Sequence, residues 1–270
     1  MNQECQKCRT VNPSSSRFCQ GCGRPLAATS VGGRTVVLSS APASGGVSDA
    51  EARTIIQRAE RAFGGTSTRP GAGTMSPVRP GQREHLVIVN DISGSMEEPY
   101  EPGITKLQAS IRASVNLVLG KFQTDRQDEI GLVVFNSVAE VLEDFHPVGT
   151  YKAQMIYDLQ SLKPDDGTDI NEGLKAAQGM FDWSLPGVVR RVVLLTDGQG
   201  GEPLDTARKL KDRGVVIDVI SIADKPANAD EMLLKKVAST VGGVLRYRFI
   251  KDQKTLVQHY TMLAQKTATI

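Results

Sequence analysis

Asp91, Ser93 and Ser95 stand in the pentapeptide Asp91-Ile92-Ser93-Gly94-Ser95, directly after the short run His85-Leu86-Val87-Ile88-Val89. One carboxylate and two hydroxyls, displayed where a buried strand opens into a loop, form a compact set of hard oxygen donors suited to Mg2+ or Mn2+. Two later loops extend the set. Thr168 lies in Asp165-Asp166-Gly167-Thr168-Asp169, and Asp197 lies in Thr196-Asp197-Gly198 after the apolar run Val192-Val193-Leu194-Leu195. Two of the three segments follow predicted core strands, so in a parallel sheet they converge at its carboxyl edge.

A second constellation sits at the start of the chain. All 4 cysteines fall within the first 22 residues, as Cys5-x2-Cys8 and Cys19-x2-Cys22 with ten residues between the pairs. Two such knuckles can place four thiolates tetrahedrally around Zn2+, a closed structural site with no open position for chemistry. Gly21 and Gly23 flank the second knuckle, where tight turns need positive φ. The competing reading is a pair of disulfides, which requires an oxidising compartment that nothing else in the sequence suggests.

These residues need elements to hold them. From residue 85 onward, strand patterns alternate with helix patterns: Ile130–Phe135 and Val215–Ile220 join the two strands already named as near-continuous apolar runs, which indicates strands covered on both faces. Leu107, Ile111, Val115, Val118 and Phe122 form one helical stripe, and Leu234, Val237, Ala238 and Val241 another. The alternation predicts a doubly wound, mostly parallel sheet with right-handed crossovers. Ala139–Phe145 follows its predecessor after a turn too short for a crossover, so it is expected as an antiparallel edge strand whose acidic residues discourage edge pairing. A sixth strand, Val244–Phe249, and a helix from about Asp252 to Lys266 close the domain.

Residues 24–83 read as a linker rich in Gly, Pro and Ser, too poor in apolar groups to offset chain entropy. Two signals stand out in it: the β-prone run Arg34–Leu38, and a capping box Ser48-Asp49-Ala50-Glu51 opening a helix to about Phe63. Ala52, Ile55, Ile56, Ala59 and Phe63 give that helix a face that needs a partner. The expected organisation is therefore residues 1–26 as a metal-bound module, 27–83 as a linker with one helix, and 84–268 as the main domain.

The main domain resembles the von Willebrand factor A family with its metal-ion-dependent adhesion site. That resemblance implies Ser93, Ser95 and Thr168 as direct hydroxyl ligands of Mg2+ (or Mn2+ or Ca2+), with Asp91 and Asp197 holding the ion mainly through waters. It also implies a non-enzymatic role in which an Asp or Glu of a partner protein completes the coordination. Solitary proteins of this kind act as adaptors beside AAA+ ATPases or kinase and phosphatase systems. The first 23 residues look like the short zinc ribbon of many bacterial proteins, with Cys5, Cys8, Cys19 and Cys22 as Zn2+ ligands. Asn90 departs from the family pattern, where an apolar residue is commoner. Glu97, Glu98, Glu101 and Glu202 crowd the site, and one of them is a candidate to occupy it in cis. Removing both serine hydroxyls is expected to spare stability in the absence of metal, on the assumption that they face the loop.

Other functions are less well served. A metal-dependent phosphohydrolase would need a second Asp at nucleophile–acid spacing or a G-x-x-x-x-G-K-[ST] cradle, and neither is present. His85, His146 and His259 lie far apart and read as structural or surface residues. Nucleic-acid binding would draw on residues 1–83, which carry 11 Lys/Arg against 4 Asp/Glu while the remainder carries 21 against 26. Those arginines are scattered rather than clustered, which makes nucleic acid a weaker candidate. No apolar run is long enough to span a bilayer, and the first thirty residues lack a signal-peptide pattern, so the simplest expected address is the cytoplasm.

Overall fold

The computed structural model describes residues 2–4, 11–13, 49–63, 83–198, 200–222 and 230–265. The four cysteines, and the run 34–38, lie outside the described residues. At the amino terminus β1 (Asn2–Glu4) pairs antiparallel with β2 (Val11–Pro13), and α1 (Asp49–Phe63) forms where the capping-box signal placed a helix. The main unit then runs β3 (Glu84–Asp91), β4 (Pro99–Glu101), β5 (Ile104–Thr105), α2 (Lys106–Thr124), β6 (Glu129–Phe135), β7 (Ala139–Pro147) and α3 (Val148–Ser161). It continues through α4 (Ile170–Met180), β8 (Val189–Thr196), α5 (Leu204–Asp212), β9 (Val216–Ser221), α6 (Glu231–Val237), β10 (Thr240–Val241), β11 (Val244–Leu245), β12 (Tyr247–Phe249) and α7 (Gln253–Gln265).

Six strands form one sheet in the order β12-β9-β8-β3-β6-β7, parallel throughout except for β7, which runs antiparallel along the edge beside β6. Sequence order reverses at β3: the chain leaves it toward β6 on one side and later returns to β8 on the other. Loops at the carboxyl ends of β3 and β8 therefore open into the crevice where ligands settle in such sheets.

The strands are apolar on both faces because both faces are covered. Leu86, Ile88, Leu132, Val193 and Ile220 pack under α2, α3 and α7, while Val87, Val89, Val133, Val192 and Val219 pack under α4, α5 and α6. The helix α1 lies against α3 and α2, with Ala59 fully buried and Ile55 partly so.

The expected strand Val244–Phe249 is broken in two. Gly242 and Gly243, both at positive φ (56° and 77°), turn the chain so that Val244–Leu245 folds back on Thr240–Val241, and only Tyr247–Phe249 joins the sheet. The same turn removes Val241 from the helical stripe, which ends at Val237 with Ala238 as its cap.

At the amino ends of the strands lies a buried ionic cluster. Lys121 Nζ donates to Glu84 Oε2 at 2.8 Å and to Asp128 Oδ2 at 2.9 Å, and Arg191 Nε donates to Asp218 Oδ2 at 2.7 Å. Arg191 Nη1 reaches the Leu263 carbonyl at 3.0 Å. Nearby, His85 meets Glu129 at 3.1 Å and stacks near Phe145, and burial lowers the pKa of His259 to about 4. These two histidines belong to the amino edge, and His146 stacks on Tyr151 beside β7, so the structural reading of all three agrees with their surroundings.

One carboxyl on β7 gives a pH-dependent prediction. Burial, and then a hydrogen bond shared with Asp158, push the Glu143 pKa up from its ordinary 4.5 to about 8. A raised carboxyl pKa means the folded chain holds a proton that the unfolded chain releases, so this group favours unfolding progressively as pH rises from about 4.5 to about 8. Glu143→Gln is expected to raise the melting temperature at pH 8.5 more than at pH 5, measured by circular dichroism.

Candidate functional site

Each segment of the predicted site is fixed by backbone geometry. Asp91 is the last residue of β3, fully buried, and its Oδ1 accepts the Ser93 backbone N–H at 2.8 Å. This turn swings Ser93 and Ser95 back over the strand end, where their hydroxyl oxygens are 3.1 Å apart. Ser95 Oγ donates to Asp197 Oδ1 at 3.0 Å, which joins the first loop to the one after β8. Thr196 closes the circuit: its Oγ1 donates to Asp91 Oδ2 at 2.6 Å and accepts the Gly198 N–H at 3.1 Å. Asp91, Ser93, Ser95 and Asp197 thus form one hydrogen-bonded chain.

Thr168 reaches the same edge through its backbone. The segment 165–169 is bonded on both sides: Asp165 N–H donates to the Ile92 carbonyl at 2.7 Å, and Asp169 N–H to the Asn136 carbonyl at 2.6 Å. Gly200, at φ 146°, lies flat against the Thr168 carbonyl, where any Cβ would collide. Asp166 is close as well, since a Cβ on Gly94 would lie 2.9 Å from its Oδ1.

Ser93 is only 1% exposed. For Ser93 the expectation that the serine hydroxyls face an open loop is therefore corrected, while Ser95 is half-buried. Removing both hydroxyls deletes a part-buried pair and the Ser95 bond to Asp197, at a cost of about 1 kcal/mol per lost bond even without an ion.

Three supporting residues were not assigned a role from the sequence. Asn136, just after β6, donates through Nδ2 to Asp165 Oδ2 at 2.9 Å and so braces two loops. Asn90, noted as unusual for its position, is fully buried and bonded to Ser110 and Ser114 of α2 at 3.2–3.3 Å, which ties the end of β3 to that helix. Lys106, the first residue of α2, donates to Asp197 Oδ2 at 2.8 Å and to Glu98 Oε2 at 2.6 Å. Thr196 carried a signal in its own motif, but Lys106 had none, being 91 residues from Asp197.

The acidic residues suggested as occupants in cis are engaged elsewhere or exposed. Glu98 meets Lys106, Glu101 Oε1 accepts the Gln253 N–H at 2.9 Å, and Glu97 and Glu202 are exposed. Burial pushes the Asp91 pKa up to about 6, although the hydrogen bonds from Ser93 and Thr196 pull it the other way.

A doubly wound sheet with this pair of loops at its switch point fits the model of the von Willebrand factor type A domain, which matches residues 85–260. The chain belongs to that family. It is 28% identical over 208 residues to calcium-activated chloride channel regulator 1 of Mus musculus, a match covering 76% of this chain and 21% of that protein. This family member thus spans about a fifth of the length of that relative. Among solved structures it resembles a von Willebrand factor type A protein from Catenulispora acidiphila, with a TM-score of 0.57, 22% identity, and coverage of 69% of this chain and 43% of the other. It also resembles the PilB minor pilin from Streptococcus sanguinis, with a TM-score of 0.57, 13% identity, and coverage of 70% and 62%. At these identities the likeness is one of fold. Domains of this type commonly mediate protein–protein interaction and are typically non-enzymatic.

Among the described residues no helix is long and apolar enough to cross a membrane. Nor, among them, do three or more His, Cys, Asp or Glu side chains cluster so as to hold a metal ion. A divalent ion at the β3–β8 edge would depend on hydroxyls as much as on carboxylates.

Proposed function

We propose that this domain binds a partner protein through a divalent ion, most simply Mg2+, held at the carboxyl edge by Ser93, Ser95 and Thr168, with Asp91 and Asp197 acting from one water further out. The observation that carries the reading is the chain of hydrogen bonds running Thr196–Asp91–Ser93–Ser95–Asp197, which gathers two carboxylates and the serine hydroxyls from loops about 100 residues apart. An all-oxygen donor set suits Mg2+ or Mn2+ and disfavours soft metals. The fit is supported by the burial of Asp91, whose charge is costly in that position unless a cation faces it.

When bound, such an ion supplies an electrophilic position that a carboxylate from outside can fill. The chain itself contributes orientation. Asn136 and Gly200 hold the Thr168 loop against the other two, and Asn90 anchors β3 to α2, so the hydroxyls are positioned before any ligand arrives. The partner would present Asp or Glu, flanked by basic groups that complement Glu97, Glu98 and Asp166 around the rim. In the same reading Cys5, Cys8, Cys19 and Cys22 hold Zn2+ in a separate amino-terminal module, and the protein works in the cytoplasm without a catalytic role.

The test pairs an ion titration with a capture assay. The unmodified chain is expected to bind one Mn2+ by calorimetry, and Ser93→Ala with Ser95→Ala to weaken that binding by about 100-fold or more, given two lost ligands at more than 1.4 kcal/mol each. Immobilised protein should retain its partner in Mg2+ and release it in EDTA, while the double variant retains nothing in either. Retention that EDTA leaves unchanged would overturn the ion-dependent reading.

A further inference from the structure

Lys106 occupies a position that its own helix disfavours. It is the first residue of a 19-residue helix, where the backbone dipole opposes a positive charge, and its side chain is only 5% exposed. The position is nevertheless built with care. Thr105 and Gln108 form a reciprocal capping box, and the Lys106 N–H donates to the Glu98 carbonyl at 3.0 Å. Its ammonium is thereby delivered between two carboxylates, one buried (Asp197, side chain 6% exposed) and one open to solvent (Glu98, 63%).

The consequence for Asp197 is that both its oxygens are engaged. Oδ1 takes the Ser95 hydroxyl and Oδ2 takes the ammonium. Asp91 and Asp197 together carry two negative charges, and Lys106 cancels one of them within a poorly solvated pocket. A divalent ion arriving there meets a site that already holds half its counter-charge in covalently tethered form.

We propose that Lys106 is an internal counter-ion that competes with the divalent ion for Asp197 and thereby sets the ion concentration at which the site loads. This rests on the ion site proposed above. Glu98 gives the ammonium a second partner, so a bound ion can draw on Asp197 without leaving Lys106 unpaired. The arrangement keeps the site weakly charged when ions are scarce and makes loading more favourable when a carboxylate from outside adds the missing negative charge.

The experiment measures Mn2+ affinity by calorimetry on the full chain, for the unmodified protein and for Lys106→Met, Lys106→Gln and Lys106→Arg, with thermal melts confirming folding. The two neutral variants are expected to bind Mn2+ about tenfold more tightly or better, because a like charge within a few ångströms is removed. The arginine variant, which keeps the charge, should stay within about threefold of the unmodified affinity. Folded neutral variants that bind Mn2+ no more tightly than the unmodified chain would overturn the proposal. If no variant and no unmodified chain binds Mn2+, the ion site itself is wrong and the competition falls with it; tight binding by the neutral variants alone supports both. Should the neutral variants fail to fold, the unmodified chain still decides the matter. Saturating Mg2+ must shift the side-chain ammonium resonance of Lys106, assigned with the arginine variant, and an unchanged resonance would overturn the proposal.

Discussion

Replacing Lys121 with methionine is expected to destabilise the protein by about 3–5 kcal/mol, since it strands two buried carboxylates that have lost their cation. Lys121 and Glu84 are both fully buried, and Asp128 nearly so. The cluster around them holds three acids, Glu84, Asp128 and Asp218, against Lys121 and Arg191, with the partly exposed Arg246 3.8 Å from Asp218. Among the buried members three acids face two cations, so losing a cation should cost more than losing an anion. Asp128→Asn is the informative contrast. Burial raises the Asp128 pKa, its Oδ1 can still accept the Glu84 N–H, and the cost should be nearer 1–2 kcal/mol. In thermal melts the methionine variant should lie on the order of 10 °C below the unmodified protein. Equal losses for the two variants would show that the cluster stabilises by packing rather than by charge balance.

Asp91→Asn is expected to do the opposite at the other edge: abolish divalent-ion binding while leaving the ion-free protein as stable as before, or more so. The Asp91 carboxyl has an ordinary pKa of 3.8 that burial raises to about 6. For a carboxyl shifted upward, the folded state favours the protonated form, so this group weakens the fold as pH rises from about 4 to about 6, and the full penalty then stays constant at higher pH. The full shift corresponds to on the order of 3 kcal/mol as an upper value. Asparagine removes the charge, and its Oδ1 can still accept the Ser93 N–H while Thr196 rotates to accept. Guanidinium melts in EDTA at pH 5 and pH 7.5, set beside Mn2+ calorimetry, separate the two effects. A variant that loses ion binding only because it unfolds would refute this assignment of Asp91.

The strands were legible because burial on both faces leaves an unmistakable apolar run, as in Val192–Leu195, and the edge position of β7 was legible because its connection from β6 is too short to cross over. Asp91, Ser93, Ser95 and Asp197 could be placed on one edge for a related reason: they end a strand or closely follow one, where sequence position fixes spatial position. What stayed hidden depends on pairing across the chain. Glu84 and Arg191 are 107 residues apart, and Lys106 and Asp197 are 91 apart. Taken singly, each looks like a surface charge on an amphipathic element. Asn90 was visible as an oddity, yet only the serines of α2 facing it explain it. The division of the last strand follows from Gly242-Gly243, whose turn folds Val244–Leu245 back on Thr240–Val241.

The helix α2 carries one of these hidden lysines at each end. Lys106 grips Asp197 at the carboxyl edge, and Lys121, about 22 Å further along by helical rise, grips Glu84 and Asp128 at the amino edge. Mechanically this is a beam clamped at both supports. Sliding along its own axis would break one of these clamps, and an ion that drew Asp197 away from Lys106 would release the one at the carboxyl edge. The short hairpin of β4 and β5 makes a second connection from the site. Tyr100 there holds the Ile250 carbonyl at 2.9 Å and Glu101 holds the start of α7. The hairpin that follows Ser95 is thus tied to the start of α7, as Glu98 and Asp197 are tied to the start of α2.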